Sequence, residues 1–321
     1  MEFKHIPILL AECLEGLQIK ADGTYMDGTL GGAGHGYEIA ARLGDKGVFL
    51  GLDQDEDALG AAEKKLSALP DKDIRLLHSN FTEFKNALFL AGITELDGIL
   101  LDLGISSYQI DNPDRGFTYM KDAPLDMRMD RSKAKDAAQI VNTYSPAELA
   151  RIFREYGEEK FAGEIAAQIA AARKSKPIAS SYQLNAIIDQ AIPKKFRAAR
   201  KGHPAKQVYQ ALRIECNDEL KAVEQALPEM AGCLKDGGRL CVITFHSLED
   251  RLVKNIFRDL ENPCICPRDF PVCACGRKPL GRVITRKPIV PSAAEQEQNE
   301  RSHSAKLRIF ERRRPTEEQK N

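Results

Sequence analysis

Three acidic residues in the first third of this 321-residue chain each follow an apolar run, and a glycine-rich loop follows the first of them. Asp27 comes after Tyr25-Met26 and opens onto Gly28-Thr29-Leu30-Gly31-Gly32-Ala33-Gly34-His35. Asp53 follows Val48 to Leu52, and Asp102 follows Ile99-Leu100-Leu101. A glycine-rich loop between strand and helix lets backbone approach a ligand and presents the N–H groups of the helix start. A dinucleotide fingerprint needs glycine at the first, third and sixth places. Starting from Gly31 the third place is Ala33, from Gly32 the sixth is Tyr37, and from Gly34 the sixth is Ile39. No register fits, which argues against a nicotinamide-dependent oxidoreductase. An acid beside the loop suits a cation, and Asp53 stands where it can accept hydrogen bonds from both hydroxyls of a ribose. An acid directly after Ile99-Leu-Leu is costly to bury alone, so Asp102 is expected to face the cleft. Phe81, after His78-Ser79-Asn80, either covers a ligand ring or anchors the core. Taken alone, the loop also fits a structural turn.

These residues need a scaffold of alternating strands and helices. Short β-type runs end at Asp27, span 48–53 and 74–78, and occupy 98–103, with helical patterns over 35–43, 55–67 and 82–90. That alternation predicts a parallel sheet with crossover helices, and the unbroken run at 98–103 suits a central strand. After Asn112 the strand signals stop. Helical stretches are predicted at 146–156, 158–173 and 181–191, and one long helix at 206–234, before strand signals return at 239–245 and 305–310. The expected architecture is α/β: a doubly wound sheet in two parts, 1–112 and 205–321, split by a helical insertion at 113–204 for substrate recognition.

The loop after Asp27 resembles the first motif of class I (Rossmann-like) S-adenosylmethionine methyltransferases. S-adenosylmethionine has no phosphate to cradle but carries an amino group and a sulfonium, for which a nearby acid is suited. Longer strings extend the resemblance: Asp102-Leu-Gly-Ile-Ser-Ser107, Pro124-Leu-Asp-Met-Arg-Met-Asp130, His203-Pro-Ala, Gln210-Ala-Leu-Arg-Ile214, Gly237-Gly-Arg-Leu and Phe245-His-Ser-Leu-Glu-Asp-Arg251. In order from His5-Ile-Pro to Leu307-Arg308, the chain resembles the RsmH (MraW) family. The resemblance implies a class I fold with a helical insertion and methylation of the N4 amino group of a cytidine in 16S rRNA of the 30S subunit. It places cofactor contacts on Ala33, Gly34, His35, Asp53, Phe81, Asp102 and Gln109.

A cytosine N4 lone pair is delocalised into the ring, so the site must hold the amine by its hydrogens and later accept a proton. Asp102, or a backbone carbonyl beside it, is the expected acceptor. Asp126 and Arg128, with Asp130, are expected either to position substrate or to form a structural ion pair. His246 is either a proton acceptor near neutral pH or a satisfied structural histidine.

The 47 basic and 47 acidic residues cancel, but unevenly: residues 1–112 carry 9 Lys+Arg against 19 Asp+Glu. Residues 190–214 hold seven bases and no acid, including Lys194, Lys195, Lys206 and Arg213, and residues 301–314 hold six bases against Glu311. Such runs are either solvated surface or a phosphate-binding footprint for RNA. His303 and Gln207 stand where the family usually carries a base. No run approaches the ~20 apolar residues of a membrane helix, so no membrane association and a cytosolic location are expected. Cys13, Cys216, Cys233 and Cys241 lie among apolar residues, whereas Cys264, Cys266, Cys273 and Cys275 cluster and fit either a structural zinc site or unligated thiols. A non-catalytic ribosome assembly factor retaining the pocket is the remaining alternative.

Overall fold

A computed structural model describes residues 7–200, 202–267, 270, 272 and 274–314. His5 and Ile6 of the first resembling string, Lys201, Cys273 and the polar tail after Arg314 lie outside the described residues. The chain forms two compact units, residues 1–104 with 220–321 and residues 105–219.

The first unit begins with α1 (Leu10–Leu17) and then alternates β1 (Thr24–Asp27), α2 (Gly34–Ala41), β2 (Val48–Asp53), α3 (Glu56–Leu66), β3 (Asp73–His78), α4 (Phe84–Leu90) and β4 (Leu96–Asp102). These four strands pair in parallel. Successive residues of β4 point to opposite sides: Ile99 and Leu101 join Met26, Leu50 and Phe84 in one apolar cluster, and Leu100 joins Tyr25, Phe49 and Ile39 in another. Burial on both faces is why these strands read as continuous apolar runs rather than alternating ones.

The second unit is helical: α5 (Ser107–Asp111), α6 (Ala137–Thr143), α7 (Pro146–Glu155), α8 (Ala162–Ala172), α9 (Ser181–Ala191), α10 (Lys194–Ala198) and α11 (Lys206–Asn217). Helix α7 starts where the sequence prescribes it, with Pro146 after Ser145 and a reciprocal capping box between Ser145 and Glu148. One core, including Ile140, Leu149, Phe153, Ile165, Leu184 and Leu212, holds the unit together. The unit extends past the expected 113–204 because α11 contributes Val208, Ala211, Leu212 and Cys216 to that core.

The single helix expected at 206–234 is instead two, α11 and α12 (Glu219–Gly232), broken at Asp218, which is left-handed (φ 53°). Asn217 fixes the break: its side chain accepts from Met129 N–H and donates to the Met127 carbonyl, both at 2.8 Å. The first unit then resumes with β5 (Leu234–Thr244), α13 (Ser247–Glu261), β6 (Gly281–Val283), α14 (Ala293–Gln298) and β7 (Lys306–Arg312). The sheet order is β3-β2-β1-β4-β5-β7-β6. β5 lies parallel to β4, but β7 is antiparallel to β5 and β6 to β7, so the doubly wound parallel sheet ends in an antiparallel edge. This is the class I, Rossmann-like α/β arrangement with a helical insertion. Among the described residues, no helix is long and apolar enough to cross a membrane.

Candidate active site

Three strand ends, β1, β2 and β4, bring Asp27, Asp53 and Asp102 to one edge of the sheet, where the glycine-rich loop is sewn to its neighbours. Gly28 N–H donates to Leu100 O at 3.0 Å, and Leu30 N–H donates to Leu52 O at 2.9 Å. At Gly28 a Cβ would come within 2.6 Å of Leu101, so only glycine lets the loop lie this close to β4. A Cβ on Gly32 would meet nothing within 4 Å, leaving open space on that side of the loop. Ala33, buried and left-handed (φ 54°), turns the chain into α2 without a side-chain cap, so the amides of the first turn are held by no capping side chain.

Each acid is held differently. Asp53 accepts Gly31 N–H at 2.7 Å on one oxygen and Asp55 N–H at 2.9 Å on the other, fixing the carboxylate plane. Burial still raises its pKa to about 6. Asp27 accepts from Thr29 N–H at 3.0 Å, and burial raises it to about 7. Asp102 is pushed up to about 8, first by burial and then by the charges of Asp27 and Glu249. Its side chain is 24% exposed, yet Oδ1 is buried with no hydrogen-bond partner. Its backbone N–H donates to Thr29 Oγ1.

His35 faces Asp102, with Nδ1 3.7 Å from Oδ2. Its Nε2 lies 3.0 Å from the Ile8 carbonyl, which can only accept, so Nε2 carries a hydrogen. Neutral His35, with its hydrogen on Nε2, presents Nδ1 toward Asp102 at a distance too long for a direct hydrogen bond. Sequence reading missed Thr29 and Glu249. Only the capping-box spacing from His246 marks Glu249.

Other expected site residues are placed as follows. Phe81 is buried in the core with Met26, Leu50 and Leu101, and its Cβ is 3.2 Å from where a Gly28 Cβ would lie. His246 caps α13: its Nδ1 accepts Glu249 N–H at 3.3 Å, and Glu249 Oε2 accepts Phe245 N–H at 2.8 Å. Gln109 belongs to the second unit, where its side-chain oxygen accepts Ser106 N–H at 3.0 Å in the capping box of α5.

In the second unit Arg128 grips both oxygens of Asp126 (2.7 and 2.9 Å) and donates to the Lys133 carbonyl at 2.6 Å. Leu125, Met127 and Met129 point inward between these charged residues, which explains the alternation of Met and charge. Buried Arg115, missed in the sequence, donates to the carbonyls of Arg128 and Met129 at 3.0 and 3.1 Å. Within the basic stretch, Arg200 is paired with Glu159 (2.5 and 2.8 Å) and Arg213 with Glu219 (both 2.8 Å). Lys194, Lys195 and Lys206 are exposed and enter no ion pair among the described residues.

The basic 301–314 segment differs from a free phosphate footprint because it forms β7, where acids meet its bases. Arg308 and Lys306 bind Asp250 at 2.6 and 3.2 Å, and Arg313 lies 2.5 Å from Glu311. Of the cysteines, Cys13, Cys216 and Cys241 are buried thiols raised by that burial, Cys216 and Cys241 to about 12. Cys264, Cys266 and Cys275 come together, with their Sγ atoms within 4.8 Å of one another.

The chain is 56% identical over 313 residues to "Ribosomal RNA small subunit methyltransferase H 2" of Agathobacter rectalis, covering 97% of this chain and 99% of that protein. It is 54% identical to proteins named "Ribosomal RNA small subunit methyltransferase H" from Lachnospira eligens and Carboxydothermus hydrogenoformans, covering 97% of this chain and 98% and 99% of theirs. The family described as the MraW methylase family matches residues 2–313, which takes in the glycine loop, all three strand-end acids and the whole helical unit. The chain therefore belongs to the MraW methylase family.

Proposed function

We propose that this chain is an S-adenosylmethionine-dependent methyltransferase that modifies the N4 amino group of a cytidine in 16S rRNA of the small ribosomal subunit, acting in the cytosol. The observation that carries the reading is the set of three carboxyls, Asp27, Asp53 and Asp102, around a glycine loop with open space at Gly32. Burying three acids together is unfavourable, and a cation offsets it. The donor set fits the cofactor. Asp53, its plane fixed by two backbone N–H groups, accepts from the ribose hydroxyls. Ala33, Gly34 and His35 present backbone at the start of α2, and Phe81 lies beside the loop. When bound, the cofactor supplies an electrophilic methyl group.

The remaining chemistry belongs to the chain. Asp102 would accept a hydrogen of the target amine through the exposed part of its carboxyl, which aims the nitrogen lone pair, and would then take the proton the amine loses. A carboxyl with a pKa raised toward neutrality does this better than an ordinary aspartate. His35, whose Nδ1 lies 3.7 Å from the carboxyl, is the positioning residue. Asp126 and Arg128 shape the loop that positions substrate, and His246 fixes the start of α13. The exposed Lys194, Lys195 and Lys206 are the phosphate contacts of the helical unit, holding the backbone while the cytosine leaves its stack, and Arg213, paired with Glu219, braces α11.

The test is labelled methyl transfer to 30S particles lacking the modification, in parallel with free 16S rRNA, followed by mapping of the base. One N4-methylated cytidine is expected. Transfer to another atom would overturn the amine assignment, and no transfer to either substrate would leave an assembly factor.

A further inference from the structure

Residues 262–280, between α13 and β6, hold no helix or strand among the described residues. Ile265, Phe270 and Val272 are 66%, 55% and 75% exposed, so the segment does not fold around an apolar centre. Its base is closed by Leu280 N–H donating to Leu260 O at 2.8 Å, and Phe270 N–H donates to Pro267 O at 3.1 Å. A stretch of this length without a core needs a cross-link to stay ordered.

Cys264, Cys266 and Cys275 stand where such a link would be. Sγ of Cys264 and Sγ of Cys275 are 3.9 Å apart. A disulfide requires about 2.05 Å. Two thiolates on one tetrahedral zinc, each about 2.3 Å from the ion, are separated by about 3.8 Å. The observed spacing matches the edge of a tetrahedral site and is too long for a disulfide. Independently, Ala274 N–H donates to Cys266 Sγ at 3.3 Å, the kind of backbone donor that steadies a ligating thiolate. Soft thiolate donors select zinc over magnesium or calcium.

We propose that Cys264, Cys266 and Cys275 bind one zinc ion that staples the 262–280 segment, separately from the methyl-transfer site. A tetrahedral ion takes a fourth donor, for which the sequence offers Cys273. Each thiol that ligates releases its proton to solvent, and no oxidant is involved. A donor set of thiolates is characteristic of structural zinc.

The experiment is elemental analysis of the full-length protein purified under reducing conditions without added metal, followed by cobalt(II) titration of chelator-treated protein. One zinc per chain is expected, and cobalt should give thiolate-to-metal charge-transfer absorption with the visible bands of tetrahedral cobalt, saturating at one equivalent. The C264S/C275S double variant should lose both signals, and C233S should keep them. A trace of zinc with only the pale spectrum of octahedral cobalt would overturn the proposal. So would stoichiometric iron, or a disulfide found by mass spectrometry. Should the double variant fail to fold, the wild-type cobalt titration decides alone.

Discussion

Two groups of acids are held in opposite ways, the three strand-end carboxyls of the sheet unit and the acids of the helical unit; elsewhere in the sheet unit Asp97 and Glu311 are paired with lysine and arginine. At the strand ends of the sheet unit, Asp27 and Asp53 accept backbone N–H groups and Asp102 Oδ1 has no partner; among the described residues only His35 brings a basic group within ion-pair distance of any of the three, and all three have raised pKa values. In the helical unit the buried acids are matched to arginines. Burial pushes Asp126 up, but the hydrogen bonds and charge of Arg128 more than reverse this, and its pKa ends below the ordinary range. Glu159 with Arg200 and Glu219 with Arg213 repeat the pairing. Paired acids are structure that needs no visitor. Unpaired acids are a strain that a cationic ligand relieves, and this contrast separates a binding site from a brace.

The contrast is broken most severely at Asp102. Asp102→Asn keeps the shape but removes the proton acceptor, so single-turnover methyl transfer should fall by about a hundredfold or more. Thermal stability of the unliganded protein should hold or rise, since a buried acid has gone. Unchanged turnover would take Asp102 out of the chemistry.

On the braced side, Arg200→Ala leaves Glu159, whose side chain is fully buried, without its partner. A loss of about 3 kcal/mol is expected in chemical denaturation, with hydrogen exchange accelerated in residues 105–219 and S-adenosylmethionine affinity little changed. A shift under 1 kcal/mol would mean that water solvates Glu159 adequately.

The raised acids also predict a pH dependence. A carboxyl whose folded pKa lies above its unfolded value gives its full share of stability below about pH 4 and loses it as pH rises through the folded value, here about 6, 7 and 8. A cationic ligand prefers the ionised forms, so its binding releases protons. Affinity for S-adenosylmethionine should increase roughly tenfold between pH 6 and pH 8, and calorimetry in buffers of different ionisation enthalpy should detect the release. A flat profile would mean the carboxyls are already ionised.

The smallest effect is expected at the exposed lysines. Lys194→Glu with Lys195→Glu should weaken RNA binding by about fivefold and lower its salt dependence, leaving S-adenosylmethionine affinity alone. Equal loss of both would remove the division of labour between the units.

Much of the sheet unit was legible because strands buried on both faces leave long apolar runs, and an acid at the end of such a run is conspicuous. β2 and α9 fall where the pattern places them, at 48–53 and 181–191. The helix break at Asp218 was not legible, because no glycine or proline marks it. It depends on Asn217 reaching the distant carbonyl of Met127, a contact without local periodicity. The same applies to the site. Asp27, Asp53 and Asp102 could be read from position, whereas the His35 pairing depends on Ile8 fixing the imidazole, and the role of Thr29 on its reach to β4. For the basic C-terminal run, composition does not show that Arg308 meets Asp250 or that Arg313 lies beside Glu311.

The neighbouring strands β4 and β5 are paired in register, Asp102 opposite Ile243, yet the entire helical unit lies between them in sequence. Pairing them from a disordered chain means closing a very large loop before any bond is formed, which is slow and leaves an unpaired strand edge exposed meanwhile. The short-range helix contacts of the inserted unit, with its own apolar core, allow it to condense first and shorten that search. On this order of events β4 has its neighbour β1 at hand from the start, and the stretch of β4 that carries Asp102 waits for β5 until the helical unit has been made.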